Sequence, residues 1–404
     1  MARPFDICIR GAGITGRVLA LLLARERLRV ALVAADHNAP PAAVGGKRDL
    51  DAAGHGDVRA YALNLASKRI LDSFRCWPAG ASPVLAMQVY GDDGGEVNFG
   101  ANAAGRVDDD SDQGTEDSPS DDAALAWIVD VPSLESLLAQ ATQFQPLIET
   151  VPAALPAALT VICEGRNSQT RDELGVDFDV QPYGHMAIAT RVASTLPHQH
   201  IARQWFAGDA AGGEILGLLP LGDSIGGNSL AVVWSVPADR AAHLMQLPPT
   251  SFCEALQLAT HSRLGDLSLV SALAQWPLQL AQAQRWVGRF APGQHAWALA
   301  GDAAHTVHPL SGQGLNLGLA DVAELAALIA KRDYFRSPGD EKLLRQYERS
   351  RKLEAALLAG ATDGLQRLFS QPGKTWQGLR NMGLSMFDQS GPLKSWVANR
   401  AMGR

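Results

Sequence analysis

Cysteine is scarce in this 404-residue chain: Cys8, Cys76, Cys163 and Cys253 lie far apart and form no C-x-x-C pair. That spacing argues against a zinc ribbon, offers no disulfide framework and fits a reducing compartment. Basic excess is missing too, since 35 Lys and Arg stand against 42 Asp and Glu, a formal charge of -7. A nucleic-acid binder needs a concentrated cationic face, so nucleic acid is not an expected partner. Long apolar runs are also lacking. The longest, Val18 to Val33, is broken by Arg25, Glu26, Arg27 and Arg29 and is too charged to cross a bilayer. The opening Met-Ala-Arg-Pro-Phe-Asp lacks the ordered regions of a signal peptide, so the expected location is cytoplasmic.

What is present suggests an enzyme of more than one domain, with 47% hydrophobic and 19% charged residues in a chain longer than one core usually serves. Ile7–Ile9 reads as a strand, 11–16 as a glycine-rich turn, Arg17–Glu26 as a helix and Val30–Val33 as a second strand, together a βαβ unit. Residues 37–57 read as a loop and Ala60–Ser73 as a helix. Met87–Tyr90 and Glu96–Phe99 flank a glycine-rich turn and predict a hairpin. Asp108 to Asp122 is acidic and nearly devoid of apolar residues; it lacks the ligand spacing of an EF-hand and reads as solvated. Ser133–Phe144 is a helix, and the stretch from there to Val161 is short. Ile201–Phe206, Glu214–Leu219 and Ser229–Ser235 are β-runs that should join the hairpin in one antiparallel sheet. Trp297–Ala300 is a buried strand entering Gly301-Asp302, followed by a helix over Gly314–Leu328.

The expected architecture is an α/β, Rossmann-like dinucleotide-binding domain made of 1–77, 121–178 and 284–330. An antiparallel β-sheet domain from 78–120 and 179–283 and a helical C-terminal region over 331–404 complete it. That C-terminal region interleaves basic and apolar residues, which suits a membrane surface, a partner protein or packing on the domains.

The glycine-rich turn, Gly11-Ala12-Gly13-Ile14-Thr15-Gly16, sits between strand and helix. Glycines there admit a diphosphate close to the backbone, and the helix start supplies partial positive charge. Asp36, about 20 residues beyond, is the candidate for ribose recognition. Arg10 either meets a phosphate or reaches solvent.

The most specific run is Gly301-Asp302-Ala303-Ala304-His305-Thr306-Val307-His308-Pro309-Leu310-Ser311-Gly312-Gln313-Gly314-Leu315-Asn316-Leu317-Gly318. It resembles the second FAD motif of the single-component aromatic-ring monooxygenases, in particular the ubiquinone-biosynthesis hydroxylases, which share a para-hydroxybenzoate-hydroxylase-like fold. The resemblance implies that Asp302 binds the ribityl chain of FAD, and that Pro309, Gly312, Gln313, Gly314, Leu315 and Asn316 lie against the isoalloxazine ring. His305 and His308 are too few for a metal site and read as structural, with contact to a pocket wall as the alternative. By the same resemblance Arg59 approaches the cofactor, Glu164-Gly165 stands where the family has an aspartate-glycine pair linked to NAD(P)H use, and Gln204, Phe206, Leu219 and Pro220 wall the substrate cavity. The stretch before Val161 reads as too short for the strands that the family inserts there.

The implied activity is hydroxylation of a hydrophobic phenol, a polyprenylated ubiquinone precursor, with FAD, NADH or NADPH and O2. The flavin performs the chemistry, so no catalytic side chain is named. Other ubiquinone-biosynthesis proteins, or the inner face of the membrane, are implied partners of the C-terminal region. Two other readings stay open. One is a flavin hydroxylase of a small aromatic acid, in which Arg191 and Arg203 hold the carboxylate unless both are surface strand residues. The other is a flavin-binding scaffold in a ubiquinone-biosynthesis complex.

Overall fold

The computed structural model describes residues 5–34, 57–91, 95–100, 123–207, 213–222, 227–291, 294–307 and 313–370. Asp36, His308, Pro309, Gly312, the acidic stretch 108–122, the loop over 37–56 and the chain beyond 370 lie outside the described residues.

The chain opens with β1 (Phe5–Arg10), α1 (Ile14–Arg25) and β2 (Val30–Val33), and the two strands pair in parallel as expected of a βαβ unit. The helix begins at Ile14, three residues earlier than expected, because Gly13 caps it and its carbonyl already accepts the Arg17 amide at 3.0 Å. Val18 to Ala24 are all buried, since α1 is covered on nearly every side.

Next come β3 (Ala60–Leu63), α2 (Leu65–Asp72), β4 (Ser82–Val84), β5 (Ala86–Tyr90), β6 (Glu96–Gly100) and β7 (Ala126–Asp130). The helix expected over Ala60–Ser73 therefore divides. Its first four residues pair antiparallel with β7, and the helix starts after Asn64, whose side chain accepts the Ser67 amide at 2.9 Å. Long-range pairing overrides the helical preference of Ala60 and Ala62, and Asn64 is a favoured N-cap.

After α3 (Val131–Gln143) the chain forms β8 (Ile148–Val151), β9 (Ala157–Ile162) and α4 (Gln169–Glu173). Only one strand, β8, stands between α3 and β9, which agrees with the shortness read from the sequence. The long β10 (Phe178–Ser194), β11 (Ile201–Ala207), β12 (Glu214–Pro220) and β13 (Ser229–Pro237) follow. Then come α5 (Ala238–Leu244), α6 (Pro249–Ala259), β14 (Leu267–Leu269), β15 (Ala274–Ala283), β16 (Val287–Arg289), β17 (Ala296–Leu299) and β18 (His305–Thr306). The chain ends in α7 (Gln313–Ala330) and α8 (Glu341–Ser370).

One sheet has the order β16-β17-β9-β1-β2-β8 and is parallel except for the β16–β17 pair. A second runs β18-β15-β10-β13-β12-β11-β5-β6, with β14 beside β10. It is antiparallel save for one junction, β5 with β11, which the sequence did not anticipate. More than a hundred residues separate those strands, so no hairpin turn constrains them to run oppositely. β3, β7 and β4 make a third, small sheet.

Each face of the large sheet has its own partner. Ile188, Trp205, Leu216 and Trp234 pack against Leu244, Phe252 and Leu256 of α5 and α6. On the other face Ala202, Leu219, Leu221 and Ala231 meet Val84 and Ile128 of the small sheet, together with Ala60 and Ala62. That second face therefore looks toward the dinucleotide-binding side. Among the described residues one helix, α7, is long and apolar enough to span a bilayer, yet its Leu317, Leu319, Val322, Leu325 and Ile329 are core residues.

Candidate cofactor and substrate site

Three parallel strands end side by side. The Cys163 amide donates to the Arg10 carbonyl at 2.7 Å, and the Ala300 amide to Ile162 at 3.1 Å, so Gly11, Glu164 and Gly301 emerge together from β1, β9 and β17. Ligands of open α/β sheets bind at such carboxyl ends. The glycines divide the work. Gly11 has φ +109, and a β-carbon there would lie 2.4 Å from the Cys163 carbonyl oxygen; one on Gly16 would lie 1.9 Å from the Gly11 oxygen. These two permit close packing of turn, strand and helix. A β-carbon on Gly13 would meet nothing within 4 Å, and no side chain caps the start of α1. The helix therefore presents its first amides to open space, as a diphosphate requires. Ala12 and Ile14 flank this point, Ile14 being buried.

The second motif lies against the first. Thr15 reaches within 3.2 Å of a β-carbon placed on Gly301, whose φ is +62, and within 3.3 Å of one on Gly318 of α7. Asp302 follows in a one-turn 3-10 helix, Gly301–Ala303, with solvent access although protein surrounds it on most sides. That enclosure raises its carboxyl above the ordinary range, while His305, Arg166 and Arg59 favour ionisation. Tyr61 shares this neighbourhood: burial raises its phenol, against the pull of Arg59 and Arg166. The sequence reading singled out neither Tyr61 nor Arg166, because no local pattern marks them.

Arg59 is exposed and forms an ion pair with Asp57, which holds its guanidinium firmly charged. It lines one side of a cavity of about 310 Å³ whose other side includes Ala274 and Trp276 of the large sheet. Gln313, Gly314 and Leu315 form the first turn of α7 as the resemblance implies, and Gly314 has open space beside it. Asn316 is different. Its buried amide donates to the Ala62 carbonyl at 2.8 Å and accepts the Asn64 amide at 3.0 Å and the Ser67 hydroxyl at 2.7 Å. The side chain thus clamps the β3–α2 junction to α7, rather than pointing at a ligand.

Arg10 is partly exposed, and its Nε donates to Glu164 at 2.9 Å. Glu164 also accepts from Ser168 Oγ at 2.7 Å and from the Thr170 amide and hydroxyl at 3.1 and 2.6 Å. Burial raises this carboxyl, but Thr170, Ser168 and Arg10 outweigh it and hold it below the usual range. Gly165, at φ +79, makes the turn between Glu164 and those partners.

Strand register assigns the pocket residues to faces. Directly opposite residues share a face, so Gln204 sits with Gly217 and Phe206 with Ile215, on the same side as Ala202 and Leu219. Gln204, Phe206 and Leu219 therefore belong to the face turned toward the dinucleotide-binding side. Pro220 does not: it pairs with Leu230 of the α5–α6 cluster and lies on the opposite face, because successive residues of a strand alternate.

Both arginines considered for a carboxylate prove to be poor candidates, and neither is a surface residue. Arg203 is 9% exposed and lies on the α5–α6 face, donating to Gln88 at 3.1 Å and to the His198 carbonyl at 3.3 Å. Arg191 is paired with Asp130 and reaches the Asp57 carbonyl at 3.4 Å, joining the large sheet to the start of α3. Long-range pairing of this kind leaves no trace in local sequence. His305 is buried and donates to Asp321 at 2.6 Å while stacking on Trp286, which is the structural role expected of it. Asp321 itself was missed, although an acidic residue in so apolar a helix signals a buried partner.

Comparison with known proteins follows the same lines. A family model described as FAD binding domain matches residues 148–361. The chain is 32% identical to ubiquinone hydroxylase UbiL of Rhodospirillum rubrum, over 98% of this chain and 89% of that one. It is 26% identical to 3-demethoxyubiquinol 3-hydroxylase of Escherichia coli, over 99% of both. Two solved structures share the fold. PqsL, a probable FAD-dependent monooxygenase from Pseudomonas aeruginosa, superposes with TM-score 0.67 at 21% identity, covering 95% of this chain and 99% of that one. The p-nitrophenol 4-monooxygenase PnpA from Pseudomonas putida gives 0.68 at 16% identity, covering 100% and 99%. The glycine-rich turn at the start of α1, the Gly301-Asp302 turn packed against it and full-length similarity to the ubiquinone hydroxylases together establish that this chain belongs to the FAD-dependent aromatic-ring monooxygenases of that family.

Proposed function

We propose that this enzyme hydroxylates the phenolic ring of a polyprenylated ubiquinone precursor, with FAD as resident cofactor and NADH or NADPH and O2 as co-substrates. The observation that carries the reading is the contact of two remote motifs through Thr15, with the inner face of the large sheet turned toward them. The names of the full-length relatives support the substrate class.

The residues present fit FAD. Gly13 and the first amides of α1 would hold the diphosphate, Asp302 the ribityl hydroxyls, and the Gln313–Leu315 turn the ring edge. When bound, the flavin supplies hydride acceptance and oxygen activation. The chain contributes position and dryness. Phe206, Leu219 and the side-chain-free surface at Gly217 offer an apolar bed for a ring, and Gln204 adds a neutral hydrogen-bonding group. The two arginines considered as anchors for an aromatic acid do not support that reading, since Arg203 faces away and Arg191 is paired. Exposed Leu353 and Leu357, one turn apart on α8, suit a peripheral approach to the membrane in which such a substrate dissolves.

The test is deletion of the gene in its host, followed by identification of the quinone precursor that accumulates. A precursor lacking one ring hydroxyl, restored by the intact gene, is the expected result. An unaltered quinone pool, together with FAD-loaded protein that oxidises NAD(P)H equally with and without a lipid-tailed phenol, would refute the reading.

A further inference from the structure

We propose that Asp321, Arg351 and His305 form a positioning network that sets FAD affinity by fixing the Gly301–Asp302 turn, so that the C-terminal helix α8 is part of the cofactor site. The proposal rests on reading Asp302 as a ligand of the ribityl chain.

Asp321, on α7, is fully buried. Its Oδ2 accepts the Gly301 amide at 2.9 Å and His305 Nε2 at 2.6 Å, and its Oδ1 accepts Arg351 Nε at 2.8 Å. Arg351 comes from α8, is 2% exposed, donates to the Leu317 carbonyl at 3.4 Å and pairs with Glu354. Burial would raise the Asp321 carboxyl; His305 and Arg351 outweigh it and hold it below the ordinary range. The carboxylate therefore stays an acceptor.

Two further side chains of α8 reach the same region. Tyr347 donates to the Leu299 carbonyl at 2.9 Å, two residues before the turn, and Glu348 accepts the Trp286 amide at 2.8 Å. Trp286 in turn stacks on His305, with ring centroids 4.9 Å apart.

Two helices hold the turn. Thr15 of α1 packs against Gly301, and α7 adds two neighbours one turn apart, Gly318 beside the Gly301 α-carbon and Asp321 gripping its amide. Asp302 is the next residue, and its backbone direction follows from the fixed positive φ of Gly301. An apolar trio of similar volume would stabilise a core as well as a buried ion pair does. A network of charges here instead specifies one geometry, and the geometry it specifies is that of the turn carrying Asp302. Arg351 extends this control to α8, 30 residues further along the chain than Asp321.

The decisive measurement uses the unaltered full chain: hydrogen–deuterium exchange of the apoprotein and the FAD-loaded protein. Coupling between two sites is reciprocal, so FAD loading should slow exchange in peptides covering 301–307 and also in those covering 344–352 of α8. Slowing at 301–307 with α8 unchanged would overturn the network. The second arm compares the double variant Asp321→Leu/Arg351→Met, which leaves no unpaired buried charge, with Asp302→Ala. The expected result for the double variant is a dissociation constant for FAD at least tenfold higher and a shifted visible spectrum of the bound flavin. Wild-type FAD affinity in that variant, while Asp302→Ala binds weakly, would refute the network alone; unchanged affinity in Asp302→Ala would refute the reading of Asp302. If the double variant fails to fold, the exchange experiment decides.

Discussion

Replacing Gly13 by alanine should separate cofactor binding from folding. Its φ of -77 and ψ of -175 are open to any residue, and the added methyl meets no atom within 4 Å. Alanine is a poorer N-cap than glycine by about 0.5 kcal/mol, whereas the stiffer unfolded chain returns about 0.4–1 kcal/mol, so the apoprotein should melt almost as before. The methyl would, however, occupy the space through which a diphosphate reaches the first amides of α1. Losing one charge-assisted hydrogen bond costs about 1.5–3 kcal/mol, which is roughly a 10- to 150-fold rise in the FAD dissociation constant. Gly16→Ala is the control with the opposite pattern. Its methyl would sit 1.9 Å from the Gly11 oxygen, a backbone atom, and overpacking of this kind costs at least about 1–3 kcal/mol of folding stability. The assay is titration of apoprotein with FAD by fluorescence quenching, beside urea melts of the same preparations. A Gly13→Ala protein that binds FAD as tightly as the unaltered chain would refute the assignment of the open glycine to the diphosphate.

Glu164→Gln should weaken folding by roughly 1–3 kcal/mol near neutral pH through loss of charge-assisted bonds. Because the folded carboxyl is held below the ordinary glutamate value of 4.5, its contribution is present above that value and is lost as pH falls through the folded pKa. Urea melts across the acid range should show the gap to the unaltered chain closing at low pH, and a gap independent of pH would contradict the ion pair with Arg10. Asn316→Ala should destabilise by about 2–4 kcal/mol, since it strands buried backbone groups of the β3–α2 junction; a loss confined to FAD binding would instead make the side chain a cofactor ligand. A double-mutant cycle with Arg191→Met and Asp130→Asn should give a coupling energy of about 0.5–3 kcal/mol in denaturation, and additive effects would dismiss the bridge between sheet and helix.

The local code of this chain was sufficient for the βαβ opening, for the hairpin of β5 and β6 and for the strand-to-turn passage at Gly301-Asp302. There, glycines, apolar periodicity and turn residues act over a few positions, and the sequence alone determined what forms. It also determined the family, because the run from Gly301 to Gly318 is both long and chemically restrictive. Tertiary structure decided matters that depend on partners far away in the chain. Ala60–Leu63 became a strand because β7 was there to pair with it. Glu164 found Arg10 across 154 positions, Asn316 turned into a clamp across some 250, and register placed Pro220 on one face and Leu219 on the other. Hydrogen bonds and close packing are satisfied by whatever groups the fold brings together, and sequence distance does not enter their energy.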